Sequence, residues 1–259
     1  MQPAPAETAQ DNSRAEILEA AAICFMERGY TETSIDDVAR RLGATKGRIY
    51  HHFASKADLF AAIYRAGMDQ DYAAIEPFRG AAGKAVERLR LMAAAHCKQM
   101  ILSRPFQRVV WQGVQLLLRG ATTPELRAEL QRLNDYRNAY ERIFRETISA
   151  AQAEGDLAVE NLSLSVALMF VTLNSPIFWY TPRAGETEAD IDKLVSQIVT
   201  FAMRGLGCRN ESSITSTPDP SPQGGGETGG DAGESPSPLR GGVRGGGILS
   251  RGSLRKEDQ

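Results

Sequence analysis

Between Arg40 and Lys56 the chain places five Lys or Arg residues and no Asp or Glu, although its overall net charge is −2. Positive charge held in one short stretch suits phosphate oxygens. With a pI near 6.0, a polyanion would meet a focused patch rather than a surface coated in cations. Thr45, Lys46, Gly47 and Arg48 occupy what reads as the first turn of a short helix. Small or flexible polar residues at that turn let a helix enter a nucleic-acid groove, and Gly47 lets the backbone come close. Tyr50, His51, His52 and Lys56 fall where such a helix passes the sugar–phosphate backbone. Thr33, read as an N-cap, would offer helix amides to an anion.

Other chemistries fit less well. His51 and His52 diverge by about 100° on a helix, and neither has a carboxylate or Cys four residues on, so no zinc site is expected. His96 beside Cys97 fails in the same way. The RGAAGKA run over 79–85 lacks the glycine spacing, the Ser or Thr and the preceding strand of a phosphate loop. No nucleophile elbow or zinc helix is present, so the chain is not expected to be an enzyme and no cofactor is implied.

The elements that must position these residues read as all-α. Ile35, Val38, Ala39 and Leu42 recur at i, i+3, i+4 and i+7 behind Thr33, which predicts one helix with a buried stripe, and Gly43 breaks it. Ile49 and Phe53 would turn the next helix's other face inward. A first helix is predicted from Ser13 as N-cap, burying Ile17, Ala21, Cys24 and Phe25 before Gly29. A fourth follows the SKAD cap at Ser55, with Leu59, Phe60, Ile63 and Tyr64. These four make an expected domain over 13–68. Beyond residue 80 longer helices are predicted over 82–103, 105–118, 123–154, 162–180 and 188–206, with Pro176 kinking or ending the fourth of them. They make a second expected domain over 80–207.

TSIDDVARRLGATKGRIYHHFASKADLF resembles the DNA-binding domain of the TetR family of bacterial transcriptional regulators, over about residues 14–68. The resemblance implies an N-terminal helix-turn-helix domain joined to a helical ligand-binding and dimerisation domain. It places DNA contacts at Thr33, Thr45, Lys46, Gly47, Tyr50, His52 and Lys56. Arg48 falls at a variable position that often reads a base, and bidentate Arg to guanine is the commonest specific contact. Arg40 and Arg41 then end a scaffold helix and face solvent. Implied partners are a double-stranded palindromic operator, a small-molecule effector and a second copy of the chain. Candidate pocket residues are Met100, Phe106, Trp111, Tyr136, Tyr140, Phe144, Asn174, Phe178 and Trp179. Candidate dimer residues on the last two long helices are Leu168, Phe170, Val171, Leu194, Ile198 and Phe201. The Trp111 and NSPIFWYTPRAG patterns are similar to family members governing lipid, acyl-CoA or steroid degradation. That similarity implies an apolar or acyl-thioester effector with Arg183 as a phosphate partner, and multidrug-like compounds are the runner-up.

Composition sets the frame around these sites. A chain of 259 residues, 42% hydrophobic and 24% charged, suits one or two packed domains. Three scattered cysteines imply no disulfide framework, and Cys24 reads as a buried thiol in a cytoplasmic protein. Residues 1–12 lack a basic flank and an apolar run and read as a flexible leader. The segment 161–182 carries no charge, but its Ser, Thr and Asn residues and Pro176 favour a buried or interface helix over a membrane span. Between 211 and 259 stand 12 of the 24 glycines and no aromatic residue, a composition expected to stay disordered.

Overall fold

The computed structural model describes residues 5–120 and 123–208. Among the described residues every regular element is helical: α1 (Pro5–Glu32), α2 (Ile35–Leu42), α3 (Lys46–His52), α4 (Lys56–Arg79), α5 (Ala85–Leu102), α6 (Arg104–Arg119), α7 (Pro124–Ala153), α8 (Leu162–Asn174), α9 (Pro176–Trp179) and α10 (Glu188–Gly205). The glycine-rich segment 211–259 lies outside the described residues.

Caps account for most boundaries. Ser34 accepts from the Asp37 amide while Asp37 reaches back to the Ser34 amide, so a full capping box opens α2. Gly43 closes it in the left-handed region at φ 63°, a conformation that disfavours side chains with a Cβ and makes the sharp turn into α3. Ser55 caps α4, Thr123 caps α7, Asn161 caps α8 and a Thr187–Asp190 box caps α10. Start points differ from expectation at α1, α2 and α5, the last opening at Ala85 rather than at residue 82. The first helix begins at Pro5 rather than Ser13, so residues 5–12 extend α1 instead of forming a leader. Ala, Glu and Gln there favour helix, and proline is well placed in a first turn. The N-cap of α2 is Ser34 rather than Thr33, because the Thr33 hydroxyl is turned into the core, donating to Cys24 O at 3.2 Å and Gly29 O at 2.7 Å.

Phe25 and Phe60 meet edge-on at 5.3 Å, with Tyr30 against both, and Ile49 is fully buried, so α1, α4 and α3 share one apolar centre. α4 does not stop at residue 68. It continues to Arg79 and packs on α5, α6 and α7, burying Met68, Asp71 and Ile75. α4 and α6 approach closely because Gly67 and Gly113 face the partner helix: a Cβ on Gly113 would lie 2.5 Å from Tyr64. Pro176 ends α8, so the apolar stretch Leu162–Trp179 is divided at Ser175. At 13 residues, α8 spans about 20 Å, short of the roughly 30 Å of a bilayer core.

Candidate nucleic-acid interface and ligand cavity

α2 and α3, joined at Gly43, leave one side of α3 open. Thr45, Lys46, Gly47, Tyr50 and His51 are all exposed, and Ile49 and Phe53 anchor the opposite side in the core. At 51% exposure Tyr50 is no core aromatic. Lys46 pairs with Asp36 at 2.8 Å; the hydrogen bond to Asp36 raises its pKa further. Arg48 is half-buried and tied to α1: its Nε donates to Ser13 Oγ at 3.1 Å and its guanidinium pairs with Glu16 at 2.5 Å. His52 Nε2 lies 3.2 Å from the same hydroxyl, and burial depresses its pKa, with His51, Arg14 and Arg48 adding to the effect.

Two expected members do not belong to this open face. Thr33 is 1% exposed and spends its hydroxyl on carbonyls of α1. Lys56 directs Nζ to the carbonyls of Tyr30 at 2.9 Å, Thr31 at 3.3 Å and Thr33 at 3.0 Å, and lies over the Tyr30 ring. These carbonyls follow Gly29, where the backbone leaves helical geometry at φ 81° and ψ 167°, so Lys56 ties down the segment that leads from α1 to α2 rather than reaching out. Desolvation lowers its pKa, opposed by Glu32.

A second site lies between α4, α5, α6, α7 and the α8–α9 junction. A narrow cavity of about 60 Å3 is lined by apolar Met68, Met100, Val110, Val114, Phe170 and Ile177, by Trp111, and by a polar set. His96 is buried between the Tyr140 hydroxyl, 2.9 Å from Nδ1, and Asn174 Oδ1, 2.8 Å from Nε2. The amide oxygen only accepts, so Nε2 carries the proton and Nδ1 accepts from Tyr140. Burial lowers the His96 pKa to about 4, against the Asn174 hydrogen bond and with help from Arg137, so the ring is neutral near pH 7. Asp71 is 3% exposed, and its Oδ1 accepts from Gln107 at 2.9 Å. Desolvation raises its pKa well above the usual carboxylate range, opposed by Gln107 and Arg137.

Of the expected pocket residues, Met100, Trp111, Tyr140 and Asn174 line this cavity. The others do not. Phe106 backs the Gly67 contact. Tyr136 stacks on Tyr72 at 4.7 Å and donates to Asp69. Phe144 is fully buried in the core behind His96. Phe178 and Trp179 are exposed because α9 is a single turn after Pro176, and Trp179 and Arg183 border a separate open depression toward α10. Phe170 was expected on the dimer face but is buried and lines the cavity, since α8 points Met169 and Phe170 inward. Sequence reasoning missed Asp71, His96, Gln107, Arg137 and Glu141 as cavity residues. A charged residue at a position of the buried stripe of α4 was the one available signal for Asp71. On the outside of α8 and α10, Leu164, Leu168, Val171 and Phe201 are exposed, with Leu194 and Ile198 half-buried beside them.

Two family models match the chain: "Bacterial regulatory proteins, tetR family" over residues 17–63, and "Tetracyclin repressor-like, C-terminal domain" over residues 82–206. Over 80 residues the chain is 35% identical to the HTH-type transcriptional repressor KstR2 of Mycobacterium tuberculosis, a match spanning 31% of this chain and 40% of that relative. A longer match, 26% identical over 200 residues, covers 76% of this chain and 84% of the HTH-type transcriptional activator FasR of Mycolicibacterium smegmatis. Among solved structures, the TetR family transcriptional regulator PfmR from Thermus thermophilus is similar with a TM-score of 0.60 at 28% identity, covering 73% of this chain and 98% of that one.

Proposed function

Because the chain belongs to the TetR family of bacterial transcriptional regulators, we propose that it is a cytoplasmic, non-enzymatic repressor. In this reading it binds a palindromic operator as a homodimer and leaves it when a small apolar or acyl-thioester effector enters the cavity. The observation that carries the DNA side is the open face of α3, where Thr45, Lys46, Gly47, Tyr50 and His51 stand together on the second helix of a capped two-helix unit. Lys46 meets phosphate and Arg48, once released from Glu16, reads a base. Leu164, Leu168, Val171 and Phe201 form the face that a second copy covers, since an exposed apolar stripe on neighbouring helices is the usual mark of an interface.

Effector release follows from how the cavity is built. Ligand pockets typically enclose roughly 300–1,000 Å3, so a space of about 60 Å3 admits a ligand only if its walls part. Two walls also hold the DNA-facing helices. α4 contributes Met68 and Asp71 to the cavity and Phe60 to the core of α1, while α6 contributes Gln107 and Trp111 and donates from Gln112 Nε2 to Phe25 O of α1 at 2.7 Å. Displacing α4 or α6 therefore moves α1 and the α3 it supports. A multidrug-type effector is the alternative for the same cavity, and activation rather than repression is the alternative outcome, as the name of the FasR relative illustrates. Selection of bound sequences from a random duplex library tests the core of this reading: the expected result is an inverted repeat bound by two copies. Failure to enrich any duplex would overturn it.

A further inference from the structure

The hydrogen-bonding directions inside the cavity specify more than an apolar ligand. Asn174 Oδ1 is taken by His96, which leaves the Asn174 amide hydrogens. The Tyr140 hydroxyl hydrogen is taken by His96 Nδ1. Asp71 Oδ1 is taken by Gln107, whose amide nitrogen also donates to Gly67 O at 3.1 Å. Oδ2 is the Asp71 oxygen left for the cavity. Burial raises the Asp71 pKa and so favours the neutral carboxyl, the form in which Oδ2 donates while Oδ1 accepts from Gln107. Arg137 lines the same cavity, and among the described residues no ion pair joins it to Asp71 or to any other carboxylate. The unused donors on the lining are the Arg137 guanidinium, the Asn174 amide and, in the neutral carboxyl, Asp71 Oδ2, and the Glu141 carboxylate is an acceptor on the same lining. Glu141, one turn beyond Arg137 on α7, is the other charged group on the lining, and it is half-buried and partly screened by solvent.

We propose that the effector is an apolar carboxylic acid, held as its carboxylate by Arg137, with Asp71 and Asn174 as further donors and its tail among Met68, Met100, Val110, Phe170 and Ile177. The assignment rests on the effector reading above and names the head group of that ligand. A carboxylate supplies acceptors only and one negative charge, which matches the Arg137 guanidinium, joined by no ion pair among the described residues, and the amide hydrogens of Asn174. A protonated amine or a cationic drug would bring its positive charge against Arg137.

The test uses the full chain bound to its selected operator duplex, titrated with six- and ten-carbon carboxylates and with alcohols, amines and coenzyme A thioesters of equal chain length. Operator release and thermal shift are both read. Carboxylates should act at concentrations about tenfold or more below the alcohols and amines, the scale of one charge-assisted contact. Arg137→Gln should remove that advantage and leave the alcohol response in place, and Arg137→Lys should restore part of it. Asp71→Asn should keep carboxylate binding within about twofold, since its amide donates from the position of Oδ2. Preference for the amine overturns the proposal, as does loss on Asp71→Asn with no effect of Arg137→Gln, or the absence of any response to the series. Response to the thioester alone also overturns it while leaving the effector reading intact, and failure to bind duplex at all strikes that reading instead.

Discussion

The base-reading role proposed for Arg48 has to compete with the contacts it already makes. Its guanidinium is paired with Glu16 and bonded to Ser13, both on α1, so reading a base requires that pair to open. Arg48→Ala should cost about 1–3 kcal/mol and relax preference at one base pair of each half-site, measured by repeating the sequence selection. An unchanged profile would remove Arg48 from base recognition. Glu16→Gln should act in the opposite direction and tighten binding up to about fivefold in a gel-shift titration, because an exposed ion pair is worth about 0.2–1 kcal/mol and a negative charge near phosphate is lost with it. The two lysines divide differently. Lys46→Ala should weaken all duplexes alike and lower the salt dependence by about one ion per site. Lys56→Ala should leave that slope unchanged and instead reduce stability to urea by about 1–3 kcal/mol, because the carbonyls of Tyr30 and Thr33 lose their partner. A slope that falls with Lys56→Ala would return it to the phosphate-binding set.

Helices were legible in the sequence where caps and apolar spacing agreed, and α2, α4, α7 and α10 begin within a residue of where Ser, Thr and Pro placed them. The open face of α3 was legible for a related reason: Ile49 and Phe53 declare one side of α3 buried, which leaves the other side to Thr45, Lys46, Gly47, Tyr50 and His51. What was not legible depends on contacts between helices. Nothing local distinguishes Lys56 on a carbonyl end from Lys56 on phosphate, or places Phe170 in a cavity rather than on the outside of α8. The cavity's polar residues come from α4, α5, α6, α7 and α8, far apart in sequence. His96 makes that assembly measurable. Its folded pKa of about 4 lies below its unfolded value of about 6.5, so the unfolded chain binds more protons between those limits and stability falls as pH drops through that window. The full effect is on the order of 3 kcal/mol from a shift of that size. Asp71, with a raised pKa, acts in the opposite sense, favouring the fold as pH drops toward its unfolded value. The comparison that isolates His96 is therefore wild type against His96→Gln: urea midpoints at pH 7 and pH 4.5 should diverge strongly for wild type and less for the variant. Equal divergence would show that His96 titrates normally.

At the scale of the whole molecule, the proposed reading of a palindrome by two copies rests on the apolar face of α8 and α10. Leu164, Leu168 and Val171 lie at i, i+4 and i+7 on α8, and Phe201 on α10 is 70% exposed, the largest side chain of that face. α10 is fixed beside α5 by Lys98, which bonds Glu188 at 2.7 Å and Asp192 at 2.8 Å, so the face is presented on an anchored helix rather than a loose end. Burying these side chains against a second copy is favourable at roughly 25 cal/mol per Å2 of apolar surface, and a charge placed there would have to be desolvated without a partner. Phe201→Glu should therefore leave the monomer folded, because the side chain makes little use of the core, while shifting sedimentation from two copies toward one at micromolar concentration. If the palindrome is read by two α3 helices linked through this face, the same variant should bind a half-site duplex as wild type does and lose the added affinity of the full inverted repeat. A Phe201→Glu protein that still sediments as a dimer would place the interface on another surface and detach the two-fold of the protein from α8 and α10.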